Sequence, residues 1–118
     1  MRLTICLSAA VLCAICAHTD AKTINHAKRQ LSGTTWAYVE DGKKLRMAID
    51  RSGHYTETTA RGKVVGRGTA RMKGAKDCFT PVKSKDGEHC WTREALKVGQ
   101  SMISISDKGE RLKVTRVK

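Results

Sequence analysis

From Gly33 onward, apolar and polar side chains alternate in short runs, and most runs are followed by a turn carrying glycine. Residues 34–40 (TTWAYVE) are rich in β-branched and aromatic strand formers, and Asp41-Gly42 behind them is a strong hairpin signal. Residues 44–50 place Leu45, Met47 and Ile49 on one face and Lys44, Arg46 and Asp50 on the other. Ser52-Gly53 makes the next turn, residues 54–60 a third strand, and Arg61-Gly62 the turn after it. Residues 63–72 read as a fourth strand, in which Gly66 and Gly68 predict a bulge or a sharp bend. The stretch 78–91 supplies strands five and six. A longer connection over 95–99 leads to a seventh strand at 101–106, and a turn at 107–110 to an eighth, again alternating, at 111–117.

This rhythm predicts an all-β fold, a small antiparallel meander of eight strands over residues 34–118. Helices are nearly absent, so the sheet has to close on itself or fold into two packed layers. Closure removes both free edges and predicts an up-and-down barrel. Residues 22–33 form a lead segment, either a short helix capped by Asn25 and ended by Ser32-Gly33, or a disordered stretch. No internal repeat or linker marks a second domain.

Ahead of the lead, Arg2 is followed by an apolar run over 3–17 and then by His18-Thr19-Asp20-Ala21. These are the three regions of a secretory signal peptide, predicted to be cleaved after Ala21, with Ala17 as the second choice. The run is short for a membrane span. Cys6, Cys13 and Cys16 leave with residues 1–21, although Cys13 and Cys16 have C-x-x-C spacing. The mature chain keeps Cys78 and Cys90, an even pair in an oxidising compartment, which predicts a structural disulfide. The expected location is periplasmic or secreted, with no transmembrane segment in the mature chain.

A Cys78–Cys90 bond closes a loop worth roughly 3 kcal/mol in the chain-entropy model. Opposed cysteines on an antiparallel pair would set Phe79 opposite His89 and Trp91 opposite Asp77, with Phe79 and Trp91 sharing the core-facing side. A competing register comes from Lys85-Asp86-Gly87-Glu88, which reads as a two-residue hairpin turn and would set Cys90 opposite Lys83. Pro81 cannot donate to a ladder, so the pairing is expected to end there and residues 82–88 to form a wide loop.

Charge then narrows the partner. The chain carries a net charge of +12, and removing residues 1–21 takes away one basic residue, Arg2, and one acidic, Asp20, leaving that value unchanged. Such an excess often marks nucleic-acid binding, but export argues against it. The partner class that remains is an anionic envelope component, a polyanionic glycan or an acidic protein. Lys44, Arg46, Arg111 and Lys113 fall on outward strand faces and are the candidate binding residues. The alternative is that these charges only keep a small domain soluble and its strand edges apart.

No catalytic constellation is legible. The chain has no Gly-x-Ser-x-Gly and no His-Glu-x-x-His, and the glycines of 62–68 lack phosphate-loop spacing. His54 and His89 are far apart in sequence, and His26 lies in the lead. Asp50, Glu57 and Glu94 have no feature that would bring two of them together. Glu88-His89-Cys90 has the residue types of a metal cluster, but a disulfide-bonded cysteine is no ligand. The expectation is a non-enzyme with no cofactor and no metal.

Gly33-Thr34-Thr35-Trp36, preceded by a short lead, resembles the opening of lipocalin-like (calycin) barrels, in which Gly-x-Trp stands at the first strand. The spacing here is one residue longer. Calycins also carry a basic residue near the end of the last strand that packs over this Trp. The resemblance implies Arg116 in that role, sharing an inward face with Leu112 and Val114. Its stack on Trp36 would be a cation–π contact of about 1 kcal/mol. The chain also resembles small secreted bacterial proteinase inhibitors built on a similar barrel with one disulfide.

The leading functional expectation is a small exported, non-catalytic binding protein of the bacterial envelope that meets an anionic partner through its basic outer face. The resemblance implies two alternatives. One is a carrier of a small apolar ligand, with Trp36, Tyr38, Met47, Phe79, Trp91, Met102 and Ile105 lining its cavity. The other is a proteinase inhibitor acting through an end segment such as 22–31.

Overall fold

In a computed structural model that describes residues 29–118, each alternating run is a strand. The strands are β1 (Thr35–Glu40), β2 (Lys43–Ile49), β3 (His54–Thr59), β4 (Val64–Lys73), β5 (Lys76–Pro81), β6 (His89–Thr92), β7 (Ser101–Ile105) and β8 (Arg111–Arg116). Residues 1–21, expected to be a signal peptide, and residues 22–28 of the lead lie outside the described residues. Every pairing is antiparallel, and the sheet runs β6-β5-β4-β3-β2-β1-β8-β7. β6 then meets β7 through an isolated bridge, Trp91 to Ser106, so the eight strands make a nearly closed barrel.

Local chemistry fixes the turns and the bend. Asp41 and Gly42 both have positive φ, 49° and 73°, which gives the β1–β2 hairpin a turn twisted in the same sense as its strands. The bulge falls on β4, as its glycines predict: Glu57 pairs with Gly66 and Thr58 with Val64, leaving Val65 without an opposite residue. Gly68 has no room for a side chain, because a Cβ there would lie 2.6 Å from the Tyr55 ring.

The disulfide sets the register of β5 and β6. Cys78 is bonded to Cys90, Phe79 faces His89 and Asp77 faces Trp91. The tight-hairpin register is not formed. β5 ends at Pro81, and residues 82–88 make the loop.

The barrel has a closed floor and an open rim. At the floor, Leu31 of the lead enters the core and is 3% exposed, beside Trp36 at 2% and Ile49 at 3%. Burying one such Leu is worth about 1.5–3 kcal/mol. The lead is held in place by Gly33 N–H on the Ile49 carbonyl at 2.8 Å. Thr34 Oγ1 donates to the Leu31 carbonyl at 2.5 Å and accepts from Trp36 Nε1 at 2.8 Å. All five aromatic residues of the chain, Trp36, Tyr38, Tyr55, Phe79 and Trp91, belong to the core or pack against it. Tyr55 and Phe79 meet edge to face, with centroids 5.7 Å apart.

Strand β7 departs from the expected lining. Ser104, 1% exposed, and Met102 face inward, whereas Ile103 is 46% exposed and Ile105 shares its outer face. Ile105 therefore does not line the interior. The serine is accommodated because its Oγ donates to the Thr92 carbonyl at 2.5 Å, which satisfies a polar group that would otherwise be costly to bury.

Candidate functional site

Two places in the barrel gather chemistry: the lumen, and a groove on the outside of β8, β1, β2 and β3. The lumen holds a cavity of about 170 Å³. Its walls include Trp36, Trp91 and Arg93 together with Tyr38 and Glu57, and Glu40, the last residue of β1, stands at the rim.

Arg93 is the central group of the floor. Its side chain is only 5% exposed. Nε donates to Asp77 Oδ2 at 3.0 Å, and the guanidinium lies 4.1 Å from the centroid of the Trp36 ring. Its Nη1 is buried with no hydrogen-bond partner among the described residues. Asp77 is fully buried, and its other oxygen accepts from Arg29 Nη1 at 2.5 Å. Arg29 also donates to the carbonyls of Gly74 and Lys76. Burial pushes the Asp77 carboxyl above its usual range, against the pull of both guanidiniums. With both guanidiniums charged, the ionised cluster carries one net positive charge, with Asp77 and Arg93 shielded from water and Arg29 on the partly exposed side.

The rim is acidic. The Tyr38 hydroxyl donates to Glu57 Oε2. Desolvation first, and that carboxylate second, drive the Tyr38 phenol far above its ordinary value. Partial desolvation and the neighbouring Glu57, Asp41 and Glu110 push Glu40 up as well.

Arg93 and Asp77 were not among the residues singled out from sequence, and Glu57 was weighed only as a possible acid pair. A signal for all three was nonetheless present. Arg93 is two residues beyond inward-facing Trp91, Asp77 is opposite Trp91 in the disulfide register, and Glu57 is two residues beyond Tyr55. Strand parity therefore places all of them inside, where charges must be paired.

Arg116 stands opposite Trp36 in the β1–β8 register. Its guanidinium turns away, to the carbonyls of Leu96 at 2.8 Å and Lys118 at 3.1 Å and to Gln30 Oε1 at 3.3 Å. The cation over the Trp36 ring is Arg93, which Asp77 steers there, so the stack implied for Arg116 is made by a different residue.

Outside, Lys44, Arg46 and Lys113 line one shallow groove whose floor includes Ala37, Val39, Thr58 and Thr115. No acidic side chain lines it, and none of the three cations is in an ion pair among the described residues. Arg111 is not part of the groove: it pairs with Ile105 at the rim end of β8.

The remaining candidates fall in separate places. Asp50 is in the β2–β3 turn, accepting from Ser52 and His54, Glu57 is in the lumen, and Glu94 follows β6. Cys78, Glu88 and Cys90 do cluster, but the sulfurs are bonded to each other and have no thiolate to offer a metal. Glu88 instead takes Arg71 Nε at 2.7 Å and Lys73 Nζ at 2.5 Å, which hold its carboxyl down at about 2. Of the segment 22–31, the described part is tied to the barrel, with Leu31 in the core and Arg29 on Asp77. No helix among the described residues is long and apolar enough to cross a membrane.

Comparison with family models, with curated proteins and with solved structures finds no match for this chain.

Proposed function

We propose that this protein is a small exported binding protein of the bacterial envelope that engages an anionic partner, an envelope polyanion or an acidic protein, through the groove of Lys44, Arg46 and Lys113. The observation that carries this reading is the convergence of three cations, two from β2 and one from β8, over a floor of small and apolar side chains with no carboxylate among them. The strands hold the cations apart, so binding need order only their side chains. The net charge of +12 adds long-range attraction, which salt screens. Export rests on the reading of residues 1–21.

Titrating the mature protein onto anionic and neutral vesicles at low and high salt tests the reading. A basic residue near an anionic surface contributes about 1 kcal/mol, so replacing all three cations with Gln should weaken binding about a hundredfold. Replacing Arg67, Lys83 and Lys85 instead, for the same change in net charge, should cost much less. Equal, salt-insensitive binding to both vesicle types sinks the proposal, and equal losses in the two triple variants remove the groove from it.

A carrier function is the second reading. The observation favouring it is the lumen cavity of about 170 Å³, whose walls mix aromatic rings with charged groups.

A further inference from the structure

One wall of the lumen belongs to a guanidinium with an unanswered donor. Arg93 lines the cavity, Asp77 takes its Nε, and Nη1 remains buried and unpartnered among the described residues. A buried N–H without an acceptor is costly, and its cost falls when an acceptor arrives. The floor cluster of Arg29, Asp77 and Arg93 is also one negative charge short of neutrality. An anionic acceptor would answer both deficits.

Size and walls narrow the ligand further. A cavity of about 150 Å³ takes one benzene molecule, and this one is about 170 Å³. Trp36, Trp91 and Phe79 offer it ring faces and edges. Glu40 at the rim and Glu57 on the β3 wall would repel an acid group placed beside them, which leaves Arg93 as the group that takes it. We infer that the lumen binds a small organic acid of about benzoate size, its carboxylate on the Arg93 guanidinium and its apolar body against Trp36, Trp91 and Phe79. This rests on the carrier reading and changes its ligand from an apolar molecule to an anionic one.

The test titrates the full mature protein with benzoate and, separately, with its neutral analogues benzamide and toluene, by calorimetry and by the indole N–H resonances. The chain has two tryptophans, and both line the cavity, so both signals should shift. A charged hydrogen bond at this depth should favour benzoate over either neutral analogue by at least about tenfold. Arg93→Gln removes the donor and leaves Arg29 to neutralise Asp77, and should erase that preference while leaving neutral binding. Leu112→Trp fills the lumen, leaves the Asp77–Arg93 pair alone, and should block all three molecules.

Toluene or benzamide binding as tightly as benzoate overturns the anionic ligand and leaves the carrier reading standing. Failure of all three to bind overturns both. Benzoate binding that survives Leu112→Trp places it outside the lumen and overturns the proposal.

Discussion

Between β1 and β8 the barrel is joined by backbone, whereas between β6 and β7 it is joined largely by side chains. At the first join, Trp36, Ala37 and Tyr38 pair in register with Arg116, Thr115 and Val114. The ladder continues past the strand ends, with Val117 N–H on the Thr35 carbonyl at 2.9 Å and Thr35 N–H on that of Lys118 at 3.1 Å. At the second join there is one bridge, and Asp107 N–H donates to the Cys90 carbonyl at 2.9 Å. The rest comes from side chains. Ile105 N–H donates to Thr92 Oγ1 at 2.9 Å and Ser104 Oγ to the Thr92 carbonyl at 2.5 Å.

The difference explains where the covalent and ionic restraints were placed. β6 has only four residues and little ladder on one side. The disulfide fastens it to β5, and just beyond its end Arg93 is fastened to Asp77. The proposed binding groove, in contrast, straddles the well-laddered join, with Lys44 and Arg46 on one side of β1 and Lys113 on the other.

The most damaging way to loosen β6, the strand at the weak join, is Asp77→Ala, which leaves the buried Arg93 and the partly exposed Arg29 without their carboxylate. The expected loss is about 3–5 kcal/mol in urea unfolding. Thr115→Ala, on the exposed side of the strong join, should change stability by no more than about 0.5 kcal/mol. Similar losses from the two would erase the contrast.

Next is the double variant Cys78→Ser/Cys90→Ser, expected to cost about 3 kcal/mol. Its unfolding midpoint should match that of the reduced wild-type protein. A smaller step is Thr92→Val, which removes the acceptor for Ile105 N–H and should cost about 1 kcal/mol. No measurable loss would mean that the side-chain bonds do not hold the seam.

The mildest test is acid. The Glu88 carboxyl is depressed from 4.5 to about 2 by Arg71 and Lys73, so the stabilisation it provides is present above pH 4.5 and is lost as pH falls through about 2. Titration of its carboxyl carbon by NMR should show that midpoint, and the Arg71→Gln/Lys73→Gln variant should return it toward 4.5. An unshifted wild-type midpoint would remove Glu88 as a clamp beside the disulfide.

Much of this architecture was legible from alternation and turn residues. Leu45 and Ile49 gave the core face of β2, Asp41-Gly42 the first hairpin, and Gly66 with Gly68 the bulge. The cysteine pairing fixed the register of β5 and β6 and thereby the inward faces of Phe79 and Trp91. β7 misled because hydropathy and parity point opposite ways there: its isoleucines face out, and its inward Ser104 completes a hydrogen bond to the Thr92 carbonyl at the sparse seam. Arg93 and Asp77 were hidden for a related reason. A buried ion pair has no signature in either residue alone, and becomes visible only when the register brings the partners together.

Amide hydrogen exchange tests the asymmetry of the two joins most directly, read at Thr35 and Val117 on one side and at Ile105 and Asp107 on the other. The account predicts that Thr35 and Val117 exchange only through global unfolding. Ile105 and Asp107 should exchange through a cheaper local opening, and reduction of the disulfide should widen the gap. Equal protection at all four amides, unchanged by reduction, would contradict it.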